Sequence, residues 1–197
     1  MPEISAQGTA APESTASLDR GRAPIVGQAV LAAPGFGDLH LAWSDAGLVS
    51  LGLPDRFAML PEDAAPIRAL PELYRSVLAA YFNGEAVDPV ALPVDLRGTA
   101  FQVRVWQALR RVPRGEVRSY AQIAQDVGSP RGMRAVGMAN ARNPIAIVVP
   151  CHRIVEAKLG LGGYSGGLDM KRFLLELEGV HVRPEGVHPG QLELPSA

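Results

Sequence analysis

A chain of 197 residues that is 47% hydrophobic and carries a formal net charge of −1 has material for one sizeable core or two small ones, so a globular fold is expected. One cysteine excludes an internal disulfide and a thiolate zinc cluster, and His40, His152, His181 and His188 are too scattered for a metal site, so no metal or other cofactor is expected. No stretch approaches ~18 consecutive apolar residues and the N-terminus lacks the basic start and apolar run of a secretory signal, which argues against a membrane and for a cytoplasmic protein whose thiol stays free.

Residues 1–22, rich in Ala, Ser, Thr, Pro and Glu without periodicity, read as a disordered arm, and residues 184–197 as a flexible tail. Between them the pattern is that of an α+β protein in two parts. Residues 23–96 read as a small N-terminal mixed α/β domain. Alternating apolar residues from Ile25 to Leu53, broken by PGFGD and SDAG, predict a strand meander, and LPELYRSVLAAYFNGE predicts an amphipathic helix stopped at Gly84. The proline-containing DPVALPVDLRG is an extended connector.

Residues 97–183 read as a mainly helical helix-turn-helix domain, winged-helix-like. Thr99 caps its first helix and Gln102 completes a capping box, with Phe101, Val105, Ala108, Leu109 and Val112 on one face and Trp106 as a packing residue. Ser119 and Gln122 repeat the device, Gly128 ends that short helix, and Ser129 with Pro130 at the first helical position starts another. Helix, tight turn and helix is the helix-turn-helix pattern. Charge is divided to match: residues 1–100 hold 6 Lys/Arg against 12 Asp/Glu, residues 101–183 hold 13 against 6. The second half is therefore a basic module suited to a polyanion on one surface.

The lone thiol lies in VVPCHRIV. A free cysteine with a pKa near ~8.5 is mostly protonated at neutral pH, so a nucleophilic Cys151 needs a group that removes its proton. His152 is the candidate, yet neighbours on a helix point about 100° apart, and a bridging water or a distorted turn is needed to join them. Pro150 suits a first helical turn, which would set the sulfur near a helix N-terminus where an anion is favoured. The alternative is an inert core thiol, since IAIVVPC is an apolar run and cysteine is often buried.

RAVGMANARNPIAIVVPCHRIV, LGGYSGG, KRFLLELEG and GTAFQVRVWQALRRVPRGEVRSYAQIA together resemble the O6-alkylguanine-DNA alkyltransferases, the methylated-DNA-protein-cysteine methyltransferases. The resemblance runs from about Tyr81 to Gly179; residues 24–80 match only in general plan. It implies a monomeric suicide enzyme that binds double-stranded DNA, flips an alkylated base out of the stack, and moves the alkyl group from O6-alkylguanine, with O4-alkylthymine as a further substrate, onto Cys151. His152 becomes the water-mediated base and Glu178 the carboxylate that orients it, a nucleophile, base and orienter arrangement. Tyr120 would stabilise the leaving guanine near ring N3. Backbone groups near Cys151 and Ile154 would accept the exocyclic amine, Ser165 would donate to the oxygen, and Tyr164 would form a pocket wall. Arg153 is expected to be structural. Arg134 would fill the vacated stack, and Arg131, Gly132, Ala135 and Gly137 would meet the DNA, where small side chains allow close approach to the minor groove. Gly132 stands where relatives often carry Ala, and inside a helix it would cost ~1 kcal/mol. Asn143 would tie the recognition helix to the active-site turn. A non-enzymatic alkyl-damage sensor would keep the flipping machinery but lack the thiol. A papain-like hydrolase would need a CGSCW-type context that is missing here.

Overall fold

The computed structural model describes residues 22–54, 65–158, 160–183 and 186–187. The expected arm, Arg22 apart, and the tail, Gly186 and Val187 apart, lie outside the described residues. The meander is present as three antiparallel strands in the order β1 (Ile25–Ala33), β2 (Gly37–Ser44), β3 (Gly47–Gly52). Their inward residues, among them Ala29, Leu39, Leu41, Leu48 and Leu51, are buried. Helix α1 (Glu72–Phe82) lays Tyr74, Leu78, Tyr81 and Phe82 toward the core, the i, i+4, i+7, i+8 spacing of one helix face.

The free edge of β3 ties the two halves of the chain together. The Leu48 amide donates to Pro93 O at 3.0 Å and Leu48 O accepts from Asp95, so the connector runs along this edge. Gly47 is required there: its φ is +143°, and a Cβ would stand 2.6 Å from the Pro93 carbonyl carbon. Three residues after Leu48, Leu51 exchanges hydrogen bonds with Pro144 O (2.9 Å) and the Ala146 amide (3.1 Å). The sheet thus grips the segment that leads into Cys151.

Helix α2 (Ala100–Leu109) carries the Thr99–Gln102 capping box in full, with Val105, Trp106, Ala108 and Leu109 buried. Phe101, expected on that face, is half-buried, with Arg104 over its ring. Trp106 packs in the core and its indole N–H donates to Ala139 O at 2.9 Å. Strand β4 (Arg118–Ser119) leads into α3 (Tyr120–Asp126), whose Ser119–Gln122 box is also complete. Gly128, at φ +70°, ends it.

Helix α4 starts later than the sequence pattern suggests. It spans Met133–Ala141, and Ser129 to Gly132 form a turn closed by the Gly132 amide on Ser129 O at 2.7 Å. Gly132 is therefore the N-cap position, and the helix-interior cost expected of it does not arise. A Cβ there would lie 2.4 Å from Ser129 Oγ, so in this turn glycine relieves crowding.

After α4 come β5 (Ile154–Val155), α5 (Leu168–Leu177), β6 (Val182–Arg183) and β7 (Gly186–Val187). The last two pair antiparallel, so Gly186 and Val187 of the expected flexible tail form a strand. β4 pairs in parallel with β5, Ser119 opposite Val155, which brings the start of α3 beside the turn that holds Cys151. One buried cluster runs from Ala29 through Leu78, Leu109 and Val136 to Leu174.

Candidate active site at Cys151

Cys151 begins a single 3-10 turn, Cys151–Arg153, with Pro150 preceding it at the cap position. The helix N-terminus expected from Pro150 is thus one short turn with little macrodipole, and the Cys151 amide is engaged by Val149 O at 2.8 Å. The approach is strained: Ile147 is the one non-glycine among the described residues with positive φ, +72°, and it is fully buried. For a β-branched residue this costs of order 1–3 kcal/mol and persists only where surrounding contacts over-determine it. Asn143 provides such contacts. Its Nδ2 donates to Val149 O at 2.7 Å and to Cys151 Sγ at 3.1 Å, while its Oδ1 accepts from the Ile145 amide at 3.0 Å.

Cys151 is 3% exposed. Burial pushes the thiol above its ordinary pKa, and the Asn143 donor and the Lys171 charge offset only part of that rise. Lys171 is itself buried, donating to the carbonyls of Ile154 and Leu161, and burial lowers its amine to about 8. The hydroxyl of Tyr164 lies beside the sulfur without reaching good hydrogen-bond geometry, and burial together with Cys151 holds it well above the ordinary phenol value.

Behind the sulfur is a buried polar network. His152 Nε2 lies 2.9 Å from Glu178 Oε1, and both side chains are fully enclosed. A carboxylate has no proton to give, so Nε2–H donates and Nδ1 keeps the lone pair; Nδ1 has no protein partner among the described residues. Glu178 caps α5 at its C-terminus, an unfavourable place for an acid that its partners offset. Arg153 donates Nε to Oε2 at 2.8 Å and Nη2 to Oε1 at 2.9 Å, and the Tyr81 hydroxyl donates to Oε1 at 2.8 Å. Burial would raise the Glu178 carboxyl, but His152 and Arg153 outweigh it and hold the group far below the usual carboxylate range.

In front of the sulfur is a pocket of about 320 Å³ lined by Tyr120, Gly137, Asn140, Ala141, Cys151, Gly163, Tyr164 and Ser165. Gly163, Tyr164 and Ser165 form one wall, and their loop packs on the residue that follows β3: a Cβ at Gly166 would meet Leu53 Cδ1 at 2.7 Å. Burial, with Cys151 and Glu156 nearby, raises the Tyr120 phenol, so it stays protonated and able to donate. A shallower hollow of about 290 Å³ adjoins, lined by Tyr120, Ala121, Met133, Arg134, Gly137, Glu156 and Ala157.

Of the residues singled out from sequence, the pocket gathers Cys151, Tyr120, Tyr164, Ser165 and Gly137. Asn143 and Ile154 do not line it. Asn143 braces the sulfur from behind, and Ile154 is buried with its carbonyl on Lys171. His152 and Glu178 are buried and do not line it. Arg131, Arg134 and Ala135 are exposed, and Arg134 shares the outer face of α4 with Met138, which is 56% exposed. Tyr81, Asp88, Asn140, Met138 and Lys171 were not anticipated. Lys171 alone had a legible signal, since it falls at helical spacing with Leu174, Leu175 and Glu178. Among the described residues no cluster of His, Cys, Asp or Glu could hold a metal ion.

Residues 100–180 match the family model of the 6-O-methylguanine DNA methyltransferase DNA-binding domain. The chain is 54% identical over 149 residues to a methylated-DNA–protein-cysteine methyltransferase of Mycobacterium leprae, covering 73% of this chain and 87% of that one. It is 46% identical over 149 residues to the enzyme of that name in Mycobacterium tuberculosis, with the same coverage. The fold is similar to the crystal structure of Mycobacterium tuberculosis OGT in complex with DNA, with a TM-score of 0.71 and 42% identity over 78% of this chain and 93% of the other.

Proposed function

The chain belongs to the methylated-DNA–protein-cysteine methyltransferases, and on that premise we propose that it repairs double-stranded DNA by moving an alkyl group from the O6 atom of guanine to Cys151, once per molecule. The observation that carries the assignment of Cys151 is its place in the lining of a pocket of about 320 Å³, next in the chain to His152, which is paired with Glu178 in the interior.

The thiol proton leaves through a bridging water to His152 Nδ1, and Glu178 holds the resulting imidazolium. The sulfur attacks the alkyl carbon in line. The S–C bond forms as the C–O6 bond breaks, its electron pair staying with the guanine. Tyr120, at the pocket wall, donates toward the base as that charge develops, Ser165 serves the oxygen, and Tyr164 forms the other wall. Backbone carbonyl groups near Cys151 and Ile154 take the exocyclic amine in this reading. A thioether is a poor leaving group and Cys151 is the only cysteine in the sequence, so no second thiol takes the alkyl group on and the molecule is spent.

A base in a duplex cannot reach a sulfur at this depth, so the nucleotide is flipped out at a cost of a few kcal/mol. Arg134 fills the stack, and Arg131, Gly132, Ala135 and Gly137 approach the minor groove. No helix among the described residues is long and apolar enough to cross a membrane; we place the protein in the cytoplasm, acting as a monomer because one chain carries the whole site. Incubation with excess duplex carrying labelled O6-methylguanine should plateau at one methyl per protein, with none transferred by Cys151→Ser. A plateau well above one equivalent refutes the proposal. The damage-sensor reading has no structural observation in its favour.

A further inference from the structure

Arg153 presents a difficulty for the relay. Its guanidinium is fully buried and forked onto both oxygens of Glu178. A carboxylate neutralised in that way attracts a second cation only as a dipole does, so Glu178 and Arg153 alone would hold a protonated His152 poorly in a site closed to solvent. The missing charge comes from the N-terminal part of the chain. Asp88, just past α1, meets the other face of the guanidinium: Oδ1 accepts from Nη2 at 2.9 Å and Oδ2 from Nη1 at 3.2 Å. With Glu178 and Asp88 ionised and Arg153 cationic, the cluster carries one net negative charge, and a proton on His152 brings it to zero. Without Asp88 the same proton would leave one uncompensated positive charge inside the protein.

We propose that Asp88 is a positioning residue for alkyl transfer, which by sharing Arg153 leaves Glu178 free to hold His152 as an imidazolium. The inference rests on the alkyltransferase reading of the site. The other groups facing the pair increase the need for a negative charge. Arg114 lies over the Tyr81 ring at 5.8 Å and donates to Leu177 O at 2.8 Å. Tyr81 donates to Glu178 from α1, Lys171 adds a cation on the sulfur side, and Tyr164 and Cys151 are neutral when protonated. Asp88 is half-exposed, with 32% of its side-chain surface open, and lies outside the pocket lining. It also caps the turn at Pro89–Ala91 by accepting from the Val90 amide at 3.2 Å, which asparagine or serine can do as well.

The test is the pH profile of the second-order rate constant for methyl transfer from duplex O6-methylguanine, using the full chain as wild type, Asp88→Asn, Asp88→Ser and Asp88→Glu. Since each molecule reacts once, the plateau counts competent protein and the rate constant reports the chemistry, so partial misfolding does not mimic the effect. Asp88→Asn and Asp88→Ser weaken His152 as a base and should lower the rate constant about three- to tenfold near neutrality, a loss that closes at high pH, where hydroxide takes the thiol proton. Asp88→Glu should restore most of the rate. If either charge-removing variant yields competent protein whose rate constant matches wild type across the pH profile, while only its plateau or melting temperature falls, Asp88 is a structural pin and the inference is overturned. If the wild type fails to reach one equivalent, it is the alkyltransferase reading that fails.

Discussion

Asn143→Ala removes three hydrogen bonds from a residue 9% exposed, and the structure separates their consequences. Val149 O keeps the Cys151 amide as a partner, so its loss is an ordinary one of about 0.5–1.5 kcal/mol, whereas the Ile145 amide is left buried without its acceptor, at about 1–3 kcal/mol. The sum is about 1.5–4.5 kcal/mol, and the lost contacts are among those that hold Ile147 at positive φ, so the segment is expected to relax. In a chain of this size that is a fall of roughly 5–15 °C in melting temperature. Urea unfolding with an unchanged slope is the cleaner assay. Methylation of Cys151 should destabilise the wild type, because the Asn143 donor meets an alkylated sulfur. The same methylation should cost Asn143→Ala about 1 kcal/mol less, a coupling that a two-by-two cycle reads directly. A loss below about 1 kcal/mol for Asn143→Ala, or equal effects of methylation on both proteins, would refute the reasoning.

Glu178→Gln should slow transfer at neutral pH and recover partly in alkaline buffer, because hydroxide can then deprotonate the thiol. Its stability deficit, about 3–5 kcal/mol for breaking a buried pair, should be full above pH ~4.3, the ordinary carboxylate value, and shrink below it as the carboxyl of the unfolded wild type takes a proton that the folded one refuses; a deficit constant down to pH 2 contradicts the depressed pKa. Lys171, lowered to about 8 against ~10.4 in an unfolded chain, means that the unfolded state binds the extra proton between those values. Wild-type stability should therefore gain on that of Lys171→Met as pH rises from 8 to 10, and parallel curves would exclude this. Arg134→Ala should lose far more rate on duplex DNA than on free O6-alkylguanine base, since only the duplex has a stack to fill; equal losses would assign Arg134 to the fold.

What could be read from sequence was local. Thr99 with Gln102 and Ser119 with Gln122 each satisfy their amides within four residues, so the capping boxes appear where the pattern puts them. The start of α4 was misread for the same reason: Ser129-Pro130 obeys the helix-start rules, but the closure of Gly132 on Ser129 competes with them, and no propensity ranks the two. Tyr81 and Asp88 were beyond reach, 97 and 65 residues from the side chains they bond. Only the packing of α1 and the connector behind the site brings them there. Lys171 could have been found, because a lysine on the same helical stripe as Leu174 and Leu175 has to be buried.

Cys151 and His152 are neighbours in the chain whose side chains share no hydrogen bond, and this decides how the thiol behaves at rest. In a 3-10 turn successive side chains point about 120° apart, so the imidazole faces Glu178 instead of the sulfur. Burial then keeps the thiol protonated, and a protonated thiol reacts slowly with adventitious electrophiles and oxidants. For a molecule that can react only once, such a reaction would be as final as the repair itself. The proton has an outlet only through a bridge to His152 Nδ1, and that transfer is useful only when an alkyl carbon stands in line with the sulfur. A cysteine with a permanently lowered pKa, as a long helix N-terminus would have produced, would react sooner and with less discrimination. The raised pKa of Cys151 and the distance between it and its base are therefore consistent with selectivity for a base seated in the pocket, and the charge held by Glu178 makes the resting thiol available to it.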